Sequence, residues 1–265
     1  MELRGSPRRL YCFTYGWEPI PEVRSRKGGA EDRFLLEPVT GAAVVFDEGW
    51  ALIDTGFDPA LIRDRVQRAE HYVNPSYIGL IPPGDPLVDQ VAAAGLAWSE
   101  LAFCAMSHLH CDHSGGLRLL ADGPPVVLQQ REFDFAMSDG TVEKAYFRTD
   151  YGRDDLNWRL IDGDHELAEG FRVVSTPGHT PGHMSFAIDL RVAGTVVLAC
   201  DAADLRGNIE RVIPCGTTTS PALEDAAQRS IELLHEMDAR DGVSVWPGHD
   251  PDFWPTRRRP PASYV

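Results

Sequence analysis

Short apolar runs alternate with amphipathic stretches along the whole chain. Leu10 to Tyr15, Ala42 to Phe46 and Trp50 to Ile53 read as strands, the last running into Asp54-Thr55-Gly56. Asp58 offers a capping carboxylate, and Leu61, Ile62, Val66 and Ala69 follow at helical spacing, which predicts a helix through about His71. A loop rich in Pro and Gly, Asn74 to Pro86, separates it from a second helix over Leu87 to Leu96. Leu101 to Met106 is a buried strand that delivers the chain into Ser107-His108-Leu109-His110-Cys111-Asp112-His113.

The second half follows the same logic without repeating the sequence. Val126 to Leu128 reads as a strand and Arg131 to Met137 as a helix. Asp139 to Asp155 is polar and aromatic with no clear period, which predicts a long loop or helical insertion, around 139–160, near a site. Phe171 to Ser175, Met184 to Ile188 and Val196 to Ala199 are predicted strands, and Pro221 to Met237 an amphipathic helix. Val243 to Val245 is a last strand before Trp246-Pro247-Gly248-His249-Asp250. Strands and helices interleave throughout, so the expected class is α/β, one domain over 1–265 with sheet packed between helices.

Composition narrows the partners. At 265 residues, 43% hydrophobic and 25% charged, the chain has the make-up of a globular protein, with no apolar run near the roughly 20 residues of a membrane helix. The stretch Met1 to Trp17 carries Arg4, Arg8 and Arg9 but no apolar core, so no secretory signal is expected. Forty acidic against 25 basic residues give a net charge of −15. Such a surface repels phosphate backbones and anionic lipid, which argues against nucleic acid and membranes as partners. Cys12, Cys104, Cys111, Cys200 and Cys215 are an odd set without a Cys-x-x-Cys pair, as expected of thiols in a reducing cytoplasm.

His108-x-His110-x-Asp112-His113 carries the chemistry. Imidazole nitrogen and carboxylate oxygen are good zinc ligands, and a turn after a strand can aim several of them at one point. His179, in Thr176-Pro177-Gly178-His179-Thr180-Pro181-Gly182-His183, Asp201 and His249 each follow a predicted strand, where α/β folds place their sites. His183 is expected to support the His179 loop. His71, His165 and His235 read as ordinary surface or helix residues, and Cys111 and Cys200 as packing.

In this order of motifs, from Asp54-Thr55-Gly56 to His249, the chain resembles the metallo-β-lactamase fold superfamily. The resemblance implies an αββα sandwich with a metal site at one edge between two sheets. It implies that His108, His110 and His179 hold one zinc, that Asp112, His113 and His249 hold a second, and that Asp201 bridges them, with Asp54 anchoring the ligand loop. Iron, manganese or cobalt would also suit these donors. The bridging Asp201, the compact length and the ending Gly248-His249-Asp250-Pro251-Asp252-Phe253-Trp254 are most similar to N-acyl homoserine lactone lactonases.

The implied activity is opening of a lactone by a hydroxide shared between two metals, with Asp112 or Asp204 managing the proton of the leaving alkoxide. Alternatives are hydrolysis of another ester, thioester or amide, or non-hydrolytic metal chemistry by a cyclase, dehydratase or iron oxygenase. The expected partner is a small lactone or acyl compound, with a homodimer left open. Tyr146, Phe147, Tyr151 and Trp158 read equally as pocket walls or as a satellite core under the insertion. Asp204 stands three residues after Asp201, where those lactonases carry Tyr. A carboxylate there is expected to accept rather than donate, favouring lactones or esters with a donor near the carbonyl.

Overall fold

The computed structural model describes residues 3–71, 78–138 and 145–265; the start of the loop expected from Asn74, residues 139–144 of the expected insertion and the side chain of His71 lie outside the described residues. The first sheet holds β1 (Arg9–Pro21), β2 (Phe34–Val45), β3 (Trp50–Ile53), β4 (Leu101–Ala105), β5 (Val126–Gln129) and β6 (Trp158–Ile161), neighbours in that order. It is antiparallel from β1 to β3 and parallel from β3 to β6. The second sheet holds β7 (His165–Ala168), β8 (Phe171–Ser175), β9 (Met184–Leu190), β10 (Gly194–Leu198) and β11 (Val243–Trp246), in the spatial order β11-β10-β9-β8-β7. Only its β10–β11 pair is parallel among the described residues.

Burial on both faces explains why the strands read as nearly continuous apolar runs. In β3, Trp50 and Leu52 face a helix-side core with Leu61, Leu87, Val91 and Leu117. Ala51 and Ile53 face the second sheet, in a core with Leu10, Val44, Phe186 and Leu198. Phe103 stacks on Phe171 there, ring centres 6.1 Å apart. The outer face of the second sheet, through Ala187, Val197 and Val245, is covered by Ile209, Ile231 and Leu234 from two helices. The order helix, sheet, sheet, helix is the expected αββα sandwich. Among the described residues no helix is long and apolar enough to cross a membrane.

Two sequence expectations need correction. The helix predicted from Asp58 through His71 is two pieces, Pro59–Arg63 and Arg65–His71. Asp64 adopts an extended backbone between them, and its carboxylate accepts from Val66 N at 2.8 Å and Gln67 N at 3.2 Å, starting a new helix. Residues 158–160, the end of the expected insertion, belong instead to a sheet strand, β6, in parallel register with β5. Its half-exposed pattern, like that of β7, hides the strand period.

Candidate metal centre

Five strand exits converge at one edge of the sandwich. β3 leaves through Asp54 at φ +54° and β10 through Cys200 at φ +47°, both non-glycine residues in the left-handed region. β4 leaves into Ser107–His113, β8 into the turn from Thr176 to His183, and β11 into Pro247–His249. Gly178 permits the path after β8: at φ +149°, a Cβ there would lie 2.3 Å from Ala227 Cα. The last is tied to the Asp201 turn, with Gly248 N donating to Ala203 O and His249 N to Asp204 O, each at 2.9 Å.

Asp201 divides the cluster with its two oxygens. Its Oδ2 lies 3.4 Å from His179 Nε2 and 3.7 Å from His108 Nε2. Its Oδ1 lies 2.9 Å from His249 Nε2 and 3.2 Å from His113 Nε2. His110 Nδ1 completes the first group, 3.0 Å from His179 Nε2. Asp112 Oδ2 completes the second, 3.2 Å from His113 Nε2 and 3.9 Å from His249 Nε2. Within each four-residue group the candidate ligand atoms lie within 4.8 Å of one another.

The far sides of the rings are held. Asp54 Oδ2 takes the Nδ1 proton of His113 at 2.8 Å, and Pro38 O that of His249 at 2.9 Å. Asp54 also accepts from Ser107 N and Ser107 Oγ, both at 2.7 Å, leaving that hydroxyl to accept from His108 Nδ1 at 3.0 Å. His183 is fully buried and accepts from Asp201 N at 3.1 Å through Nε2 while its Nδ1 meets Thr176. Such contacts fix ring orientation and tautomer before any cation arrives.

The electrostatics fit a cation pair. Burial pushes His108, His110 and His179 below the ordinary imidazole range, so they are neutral donors. Burial would also lower His113 and His249, but the surrounding carboxylates, Asp201 and Asp112 foremost, outweigh it and hold both well above that range. Those two protons balance buried carboxylates that divalent cations would balance instead. His108 Nε2 is buried and has no hydrogen-bond partner among the described residues, as a ligand atom awaiting a cation would. The five cysteines are buried, and burial raises Cys104, Cys200 and Cys215 well above the ordinary thiol value, so these three stay thiols rather than thiolate ligands.

The aromatic residues expected as pocket walls or as a satellite core all pack in or against the helix-side core. Tyr146 meets His110 edge-on at 4.7 Å. Phe147 and Tyr151 are buried in the helix-side core, and Tyr151 donates its hydroxyl to Ala136 O at 3.3 Å. Trp158 begins β6 opposite Val126, at the end of the strands away from the ligand turns, and packs on Phe133 at 5.4 Å. Of these four core rings, Tyr146 also meets a candidate ligand.

Three acids complete the surroundings. Asp204 is 7% exposed. Burial, then Asp201 and Glu37, push its carboxyl well above the carboxylate range. Glu37, in β2, is buried and pushed up to about 7. Glu132 is fully buried behind the ligand turns. Neither Glu37 nor Glu132 lies in a ligand-bearing motif, so no local signal marks them.

The family model described as "Metallo-beta-lactamase superfamily" matches residues 37–249. The chain is 33% identical to the N-acyl homoserine lactonase AttM of Azorhizobium caulinodans, over 97% of this chain and 98% of that protein. It is 29% identical to the N-acyl homoserine lactonase AiiA of Bacillus thuringiensis subsp. kurstaki, over 92% and 93%. A solved N-acyl homoserine lactone hydrolase, with the product N-hexanoyl-L-homoserine bound at its catalytic metal centre, superposes at a TM-score of 0.86 with 25% identity, covering 98% of this chain and all of that one. With two His/Asp groups suited to divalent metal at the sandwich edge, the chain belongs to the metallo-beta-lactamase superfamily and is a homologue of its N-acyl homoserine lactonases.

Proposed function

We propose that this protein is a dinuclear zinc hydrolase that opens the ring of N-acyl homoserine lactones. The observation that carries the reading is the division of Asp201, one oxygen towards His108 and His179 and the other towards His113 and His249. His108, His110 and His179 would hold one cation, Asp112, His113 and His249 the other, with Asp201 shared. Imidazole-rich sets with few carboxylates suit zinc. When bound, the pair supplies Lewis acidity towards a carbonyl oxygen and brings the pKa of water towards neutrality.

The remaining chemistry belongs to the chain. Asp112, at 14% the more exposed of the two cluster carboxylates, takes the proton released as water attacks. Asp204, buried three residues beyond Asp201, supplies a proton to the leaving alkoxide. Asp54, Ser107 and Pro38 keep the rings in place while charge shifts within the cluster.

The test combines metal analysis with a substrate panel. About two metal equivalents and ring opening of acyl-homoserine lactones, lost on chelation and restored by zinc, are expected. Turnover confined to thioesters or β-lactams would overturn the substrate assignment. Activity with one equivalent or none would overturn the dinuclear centre.

A further inference from the structure

Glu132 is fully buried in the helix Gln130–Met137, outside every metal-ligand motif. A buried carboxylate is costly unless its oxygens are satisfied, and this one meets donors from three separate segments. Its Oε1 accepts from Leu109 N at 3.2 Å and from the Tyr146 hydroxyl at 2.7 Å. Its Oε2 accepts from Gly182 N at 3.1 Å. Leu109 lies between His108 and His110, and Gly182 lies three residues after His179. One carboxylate thus joins the two turns that carry the first cation position.

Two further observations point the same way. A Cβ on Gly182 would lie 2.3 Å from Glu132 N and 2.6 Å from Glu132 Cβ, so the turn is built for this close approach. Tyr146, tied to Glu132 through its hydroxyl, sets its ring edge-on against His110. The spacing thereby constrained is that between His110 Nδ1 and His179 Nε2, 3.0 Å. The second cation position leans on Asp54 and Pro38 instead.

We propose that Glu132 is a positioning residue that clamps the His108–His110 turn to the His179 turn and so sets the metal affinity of the first cation position; this rests on the metal-centre reading above. It acts through the two turns and Tyr146. Glutamine keeps the shape but replaces one acceptor oxygen with an NH2 group, which cannot accept from a backbone N–H.

The experiment uses zinc-loaded wild type, Glu132→Gln and Tyr146→Phe, equilibrated with graded chelator and then analysed for bound metal. Glu132→Gln is expected to release one of two equivalents with about 10–100-fold weakened affinity while the other keeps its wild-type affinity. Tyr146→Phe should shift the same equivalent by less, and it carries the test if Glu132→Gln does not fold. Cobalt-substituted Glu132→Gln should show an altered visible absorption band. Wild type with fewer than two equivalents overturns the metal-centre reading and the clamp together. Two wild-type equivalents with both affinities unchanged in the variants overturn the clamp alone. So does loss of both equivalents in step with a lower unfolding temperature of the chelated protein, the mark of a merely structural role.

Discussion

Oδ2 of Asp54 lies 2.8 Å from Nδ1 of His113, with each side chain 2% exposed and the two residues 59 positions apart in the chain. The bond decides which nitrogen His113 presents: Nδ1 is committed to Asp54, so Nε2 faces Asp201 and Asp112. The same carboxylate accepts two hydrogen bonds from Ser107, at the head of the ligand turn. Asp54 thus sets both the path of the turn and the aim of a ring within it.

Replacing Asp54 with Asn tests that relationship. An amide has one acceptor oxygen for donors from Ser107 N, Ser107 Oγ and His113 Nδ1. Asp54→Asn is expected to weaken metal binding at the second position by about 10–100-fold. A chelator titration with elemental analysis checks it; unchanged affinity would show that the contact serves folding alone.

Ligand loss should be far more severe than loss of an ordinary histidine. His110→Ala removes a buried donor from the first group and is expected to lower kcat/KM by orders of magnitude. His235 sits at a helix end, its Nδ1 donating to Ile209 O at 2.9 Å, and His235→Ala is expected to leave turnover nearly unchanged. Steady-state kinetics at matched folding decides; equal losses would count against the assignment.

Asp204 offers a chemical test of the acid. Asp204→Asn retains an N–H donor but no transferable proton, so kcat should fall by about 100-fold or more with a smaller change in KM. Asp204→Tyr restores a hydroxyl donor and should recover part of the turnover on acyl-homoserine lactones. The measurement is kcat and KM for all three proteins, and wild-type kcat in Asp204→Asn would remove this residue from the proton path.

Asp150 makes stability depend on pH. Its carboxyl is pushed up to about 7 from 3.8, first by burial and then by Asp58, although Ser114 donates to it at 3.3 Å. The unfolded chain releases this proton near pH 4 while the folded chain keeps it. The group therefore subtracts from stability progressively between about pH 4 and 7 and by a constant amount above, with a ceiling of about 4 kcal/mol. Asp150→Asn should change Tm little at pH 4 and raise it at pH 8, by about 2–4 °C per kcal/mol recovered. Calorimetry at both values checks this; an identical difference at the two would refute it.

By itself the sequence determined the α/β class and the candidate ligands, because both are written in short-range pattern; the αββα layer order came from the family resemblance. Strands buried on two faces read as apolar runs, and the polar turns ending them stand out: His108 to His113 after β4, His179 after β8, Asp201 after β10 and His249 after β11. Tertiary structure decided what depends on contacts across the chain. The anchor role of Asp54, inferred by resemblance, becomes a pair of oxygens shared between Ser107 and His113. Glu132 reads as one more polar residue on a helix until folding brings Gly182, 50 residues away, onto its Oε2. The aromatic residues Tyr146, Phe147, Tyr151 and Trp158 share one composition, yet only Tyr146 reaches a ligand. Asp204 is acceptor-like by its ordinary pKa, and burial beside Asp201 and Glu37 pushes its carboxyl well above that value. Local pattern encodes which segments are buried; which polar groups meet inside, and hence their charge, is set only when the two sheets close on one another.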